Sequence, residues 1–168
     1  INLWKNLKSE QNDPEPTDSE PKQLLHEFYT LQEQRVTAFK MLDNAHTAYL
    51  STAPDYDFQS YKQKVHSITE DFNRISQRII LIEKLFRDKH EKIAVADCLT
   101  QVQTMEKQHL ELIAELQLAK QNMQDIPNDE NVRELMIFIK QRLNKLLEEI
   151  AEHLENLKYE TEDLLDQD

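Results

Sequence analysis

The sequence predicts an all-α fold, an elongated antiparallel helical bundle or coiled coil of three long helices followed by a fourth, C-terminal helix. Three observations lead there. The 168 residues contain no glycine, where average usage near 7% would supply roughly a dozen. Apolar residues recur in alternating steps of four and three through several long stretches, the signature of a helical seam. The strong breakers are prolines, and they stand between those stretches or at their starts. Glycine is what left-handed turn positions, helix C-caps and phosphate-cradling loops draw on. Its absence excludes the Walker A loop, the dinucleotide fingerprint and the Gly-x-Ser-x-Gly nucleophile elbow.

Taken in order, residues 1–19 read as a short anchor on a leash. Ile1, Leu3, Trp4 and Leu7 have near-helical spacing, and Asp13-Pro14-Glu15-Pro16 then breaks any helix. Helix 1 is expected to start between Thr17 and Pro21, with Thr17 and Glu20 at capping-box spacing. Its seam runs Leu24, Phe28, Leu31, Arg35, Ala38, Leu42, Ala45, Tyr49 and stops at Ala53-Pro54-Asp55. Helix 2, capped by Asp55 or Asp57, carries the cleanest stripe: Phe58, Tyr61, Val65, Ile68, Phe72, Ile75, Ile79, Ile82 and Phe86. A stripe this long without a charge cannot face water, which makes helix 2 central. After the polar stretch Asp88–Lys92, helix 3 offers Val95, Leu99, Val102, Met105, His109, Leu112, Leu116, Ala119 and Met123, with a three-three step around Met105 that overwinds it locally.

Ile126-Pro127-Asn128-Asp129 is a stop and a fresh cap. Helix 4 then runs on Val132, Met136, Ile139, Leu143, Leu146, Ile150, His153, Leu157 and Leu164, with Glu and Lys on its flanks. The domain division that follows is 1–19 anchor and linker, 20–124 three-helix domain, and 128–168 C-terminal coiled-coil helix with an acidic tail. Residues 125–168 hold 13 acidic against 5 basic side chains, so the tail after Leu157 is expected to fray. Helix 4 either folds back or projects to pair with another chain.

Composition narrows the function classes. A net charge of −12 and a pI near 4.9 oppose direct contact with nucleic acid or anionic membranes. A mean hydropathy of −0.74 with 39% hydrophobic residues suits helices that bury one stripe and solvate the rest. The lone cysteine, Cys98, permits no intramolecular disulfide, which fits a reducing compartment. No stretch approaches ~18 consecutive apolar residues. The expected location is intracellular, nuclear or in a cilium or the cytoskeleton. A chain beginning at Ile1 reads as a segment of a longer protein.

The runs FYTLQEQRVTAFKMLDNAHTAYL (28–50), DYDFQSYKQKVHSITEDFNRIS (55–76) and EKQHLELIAELQLAKQ (106–121) resemble the required-for-excision B-type domain family, over residues 24–121. The resemblance rests on ordered residue types, not on a catalytic signature, and it brings no active site with it. It implies a eukaryotic intracellular protein and an accessory role in DNA repair. The anchor and helix 4 lie outside it.

No residue set predicts catalysis, a cofactor or a metal. Glu106 and His109 form one Glu-x-x-His pair, a spacing that di-iron bundles use twice, and Asp43 with His46 is the nearest second. Cys98 has Asp97 beside it and no cation within a turn, which argues against a reactive thiolate. Arg35 interrupts the helix 1 seam and requires a structural ion pair, with Glu70 or Asp71 as its candidate partner. The candidate partner-binding residues are Leu3, Trp4 and Leu7 in the anchor, Tyr56 at the turn, and Leu143, Leu146, Ile150 and Leu157 on helix 4. The resulting expectation is a non-enzymatic scaffold or adaptor that contacts other proteins through helix 4 and the anchor. It binds neither nucleic acid directly nor membrane, and pairing with a second copy is an option. The alternative is a structural coiled-coil component of a ciliary, axonemal or other cytoskeletal assembly.

Overall fold

A proline at the first helical position opens one long helix of this chain, and an aspartate just before the first position opens two others. In the computed structural model, which describes residues 19–166, the elements are α1 (Pro21–Leu50), α2 (Phe58–Asp88), α3 (Ile93–Asp125), α4 (Glu130–Glu160) and the single turn α5 (Glu162–Leu165). The chain is all-α, with no strand among the described residues. Its described residues fall into two compact units that part between Ile93 and Ala94, so that α3 is grouped with α4.

The caps follow local chemistry. Pro21 sits where its missing N–H costs nothing, and the Glu20 amide donates to Gln23 Oε1 at 3.0 Å. The reach-back is therefore one made by Gln23, whereas the sequence pointed to Thr17, which lies outside the described residues along with Leu3, Trp4 and Leu7. The Asp57 carboxylate accepts from the Ser60 amide at 3.1 Å, and Asp129 accepts from Asn131 at 3.0 Å, each occupying an orphan donor of a first turn.

In the first unit α1 and α2 run antiparallel, as their cross-pairs require. Glu27 pairs with Arg78, Gln34 with Arg74, the Phe39 ring with Phe72, and His46 with Tyr61, so rising numbers on α1 meet falling ones on α2. Leu24, Phe28, Leu42, Ile75, Ile79, Ile82 and Phe86 are almost wholly removed from water. Phe58 departs from the expected stripe at 45% exposed. It stands one turn beyond Tyr61, where Tyr49 and Tyr56 already close the end of the hairpin.

Between α2 and α3 the chain makes a turn that glycine usually serves. The amides of Lys89 and His90 both donate to the Leu85 carbonyl, and the Lys92 amide reaches back to Phe86 at 2.8 Å. Glu91 bridges them at φ 53°, the one left-handed residue among those described. An L-residue with a Cβ pays roughly 1–2 kcal/mol there, and glycine adds ~0.5–1 kcal/mol of backbone entropy cost. Glu91→Gly is therefore expected to stabilise the protein by about 0.5–1 kcal/mol in urea titration, and Glu91→Val to destabilise it.

In the second unit α4 folds back along α3. Ile139, Leu143, Leu146 and Ile150 form one core with Leu112, Leu116 and Ala119, and Met105, Ile113, Val132, Met136 and Leu154 pack at its edge. The α3 seam differs from expectation at its middle. Glu106 is buried and Met105 only half so, which places the three-three step at Glu106–His109–Leu112. There the buried Glu106 carboxylate stands with its Oε2 3.5 Å from Nδ1 of His109, one turn on. Nor does the acidic tail fray at Leu157. Helix continues to Glu160, the buried Thr161 donates to the Leu157 carbonyl at 2.8 Å, and Leu164 on α5 is buried.

Candidate functional site

The helix 4 seam is the first candidate to place. Leu143, Leu146 and Ile150 face α3, and Leu157 is fully buried. These positions are occupied within the chain, not left for another polypeptide. Expecting helix 4 to need an outside partner presumed that α3 was already covered. In fact the apolar residues of its C-terminal half, from Leu112 to Ala119, take up α4.

What α4 leaves to solvent is a different face. Leu135 and Phe138 are exposed, Phe138 at 56%, and the Arg142 guanidinium lies over the Phe138 ring at 6.0 Å. The same flank continues as Lys145, Glu149, Glu152, Asn156 and Tyr159 in steps of three and four. Sequence reading passes over this flank because its only period-following apolar residues stand at its ends. The available signal is the Phe138–Arg142 spacing of four.

The α1–α2 hairpin carries two open surface depressions that meet at Met41. One, of about 330 Å³, is walled by Glu33, Gln34, Thr37, Asp71 and Arg74. The other, of about 380 Å³, is lined by Asn44, Ala45, Lys64, Ser67 and Ile68. The first is polar but chemically committed. Arg74 donates to Gln34 Oε1 at 3.1 Å, and the hydroxyls of Thr30 and Thr37 donate to the carbonyls of His26 and Glu33 at 3.2 Å each. Hydroxyls spent on their own helix are poor nucleophiles.

Of the expected ion-pair residues, Arg35 is buried at 3% exposure, as its seam position requires. Glu70 lies 3.3 Å from His66 Nε2 on its own helix, and Asp71 lines the depression beside Arg74. Tyr56 is half-buried, 5.0 Å from the Tyr49 ring, which in turn stacks on Tyr61 at 4.6 Å and 20°. His46 packs edge-on to Tyr61. The four rings pack against one another at the hairpin end.

Burial first, and the neighbouring Tyr49 second, push the Tyr61 phenol up to about 12. In the unfolded chain it ionises near 10.0. The folded state is favoured fully below pH 10, and that advantage is lost as pH rises towards 12. Alkaline unfolding followed by circular dichroism is expected to set in above about pH 10 and to be less steep in Tyr61→Phe.

Cys98 is half-buried, and its thiol is pushed up by burial, then by the carboxylates of Glu160 and Asp97. A thiol so placed is a poor nucleophile at neutral pH. Among the described residues no three His, Cys, Asp or Glu side chains converge to hold a metal, and no helix is long and apolar enough to cross a membrane.

Comparison with known proteins adds to this geometry. The family model described as "DNA repair REX1-B" matches residues 23–120. A Bos taurus "Required for excision 1-B domain-containing protein" is 28% identical over 145 residues, covering 86% of this chain and 79% of its own. Its Mus musculus namesake is 29% identical over 139 residues, covering 83% and 80%. No solved structure matches.

Proposed function

The chain belongs to the DNA repair REX1-B family, and from that premise we propose that it is an accessory protein of DNA repair. It works by holding other proteins along its helical surfaces, without binding DNA itself or turning over a substrate. The observation that carries this reading is the distribution of charge beside exposed apolar side chains. Residues 19–93 hold eleven basic and eleven acidic side chains, whereas residues 94–168 hold seven against seventeen. A surface with that excess of carboxylate repels a phosphate backbone, while Leu135 and Phe138 beside Arg142 offer the apolar and guanidinium contacts that protein interfaces concentrate.

Two measurements test it. Fluorescence anisotropy with a labelled duplex at physiological salt is expected to show no saturable binding. Tight binding that weakens steeply with salt would overturn the indirect role. Cross-linking mass spectrometry on the endogenous protein, fractionated into nucleus and cytoskeleton, is expected to link Lys140, Lys145 or Lys158 to nuclear repair proteins. The same lysines linked to axonemal proteins would make the protein a ciliary strut instead.

A further inference from the structure

We propose that two copies of this protein pair antiparallel through the outer flank of α4. The flank lies one residue out of phase with the buried seam. Ile139, Leu143, Leu146 and Ile150 face α3, while Phe138, Arg142, Lys145 and Glu149 follow the same three-four rhythm on the neighbouring face. A sustained three-four rhythm is what a helix presents to a second helix. From Leu135 to Tyr159 it extends about 36 Å.

The occupant is identified by the order of charge along α4. Residues 130–147 carry four basic and two acidic side chains, and residues 148–166 carry one lysine and eight acids. An isologous two-fold contact must be self-complementary, with residue i meeting j and j meeting i. With the axis at position 147, every charged residue of the flank stands opposite its counter-charge. Arg142 stands opposite Glu152 of the second copy and Lys145 opposite Glu149. Towards each end, Phe138 meets Asn156 and Leu135 meets Tyr159. The contact thus holds four Lys/Arg–Glu pairs, two of each kind, between exposed apolar residues at either end. A parallel pairing of the same helices would set arginine against arginine and glutamate against glutamate, which repel. Charge order therefore selects orientation and register together. Arg142 is held in place by the Phe138 ring beneath it, so less side-chain freedom is lost on pairing.

Sedimentation equilibrium of the full chain tests the pairing directly. At low salt and micromolar concentration the expected mass is twice 20.0 kDa, falling towards the monomer as salt screens the pairs. Reversing one half of the flank, with Arg142→Glu and Lys145→Glu, is expected to weaken association about 30-fold or more. Adding Glu149→Lys and Glu152→Lys to that variant restores opposite charges at every pair, and association is expected to return to within about threefold of the starting value. Helical circular dichroism is expected to be the same in all three proteins, since every substituted side chain is exposed or half-buried. A chain that stays monomeric at every concentration overturns the proposal and leaves the flank to a different protein. A dimer indifferent to the reversal, or one broken by it and not restored by the swap, overturns it equally.

Discussion

Ile79→Ala is expected to lower the unfolding free energy by about 2–5 kcal/mol, and Ile80→Ala, one residue along, by no more than about 0.5 kcal/mol. The two isoleucines share chemistry, helix and neighbours in sequence, and differ in that Ile79 is 0% exposed and Ile80 55%. Truncating Ile79 removes buried methyls from the tightest part of the first hairpin and leaves a cavity that Ile75, Ile82 and their α1 neighbours can only partly fill. Truncating Ile80 removes methyls that already face water. Urea titrations of both variants measure the contrast. Equal losses would mean that α2 is rotated about its axis from the phase described.

The second large effect lies in the other unit. Ile139→Asp places a carboxylate where 1% of the residue is exposed, among Leu112, Leu116, Leu143 and Leu146. A buried charge without a partner either stays ionised at heavy cost or takes up a proton, and either way about 4 kcal/mol or more of stability goes. Hydrogen exchange is the measurement of choice. Protection is expected to fall together at residues 112–119 and 139–150, the two faces of one core. Loss confined to α4 would mean that α3 holds without it. Burial raises the introduced carboxyl above its unfolded value, so the destabilisation is expected to ease as pH falls and that group takes up a proton in the folded state.

Most of the architecture is legible in the residues. The α1 stripe from Leu24 to Tyr49 and the α2 stripe from Val65 to Phe86 are buried position for position, Arg35 included. Those stripes can be read because a helix of period 3.6 has one face to hide and the apolar spacing marks it. Three things cannot be read. Which helix covers which seam depends on turn geometry, so the α4 seam through Leu143 and Leu146 gives no hint that Leu112 and Leu116 take it. The exchange of Met105 for Glu106 in the α3 seam goes against side-chain polarity, with the His109 ring 3.5 Å from the buried carboxylate. Phe58 belongs to the core by its side chain alone, yet the aromatic plug ends one turn short of it. The candidate site is the least legible part. A flank that is charged along its middle looks like ordinary solvated surface until the neighbouring face is known to be occupied.

The absence of glycine also acts in the unfolded ensemble. A chain in which every residue carries a Cβ or a ring explores less backbone space when denatured, and so surrenders less of it on collapse. The two hairpins close over residues 51–57 and 126–129, which keeps α1 beside α2 and α3 beside α4. Contacts between sequence neighbours form early, and helical chains dominated by them fold in microseconds to milliseconds. The composition that denies this chain a nucleotide loop thus gives it a stiff denatured state and a short search.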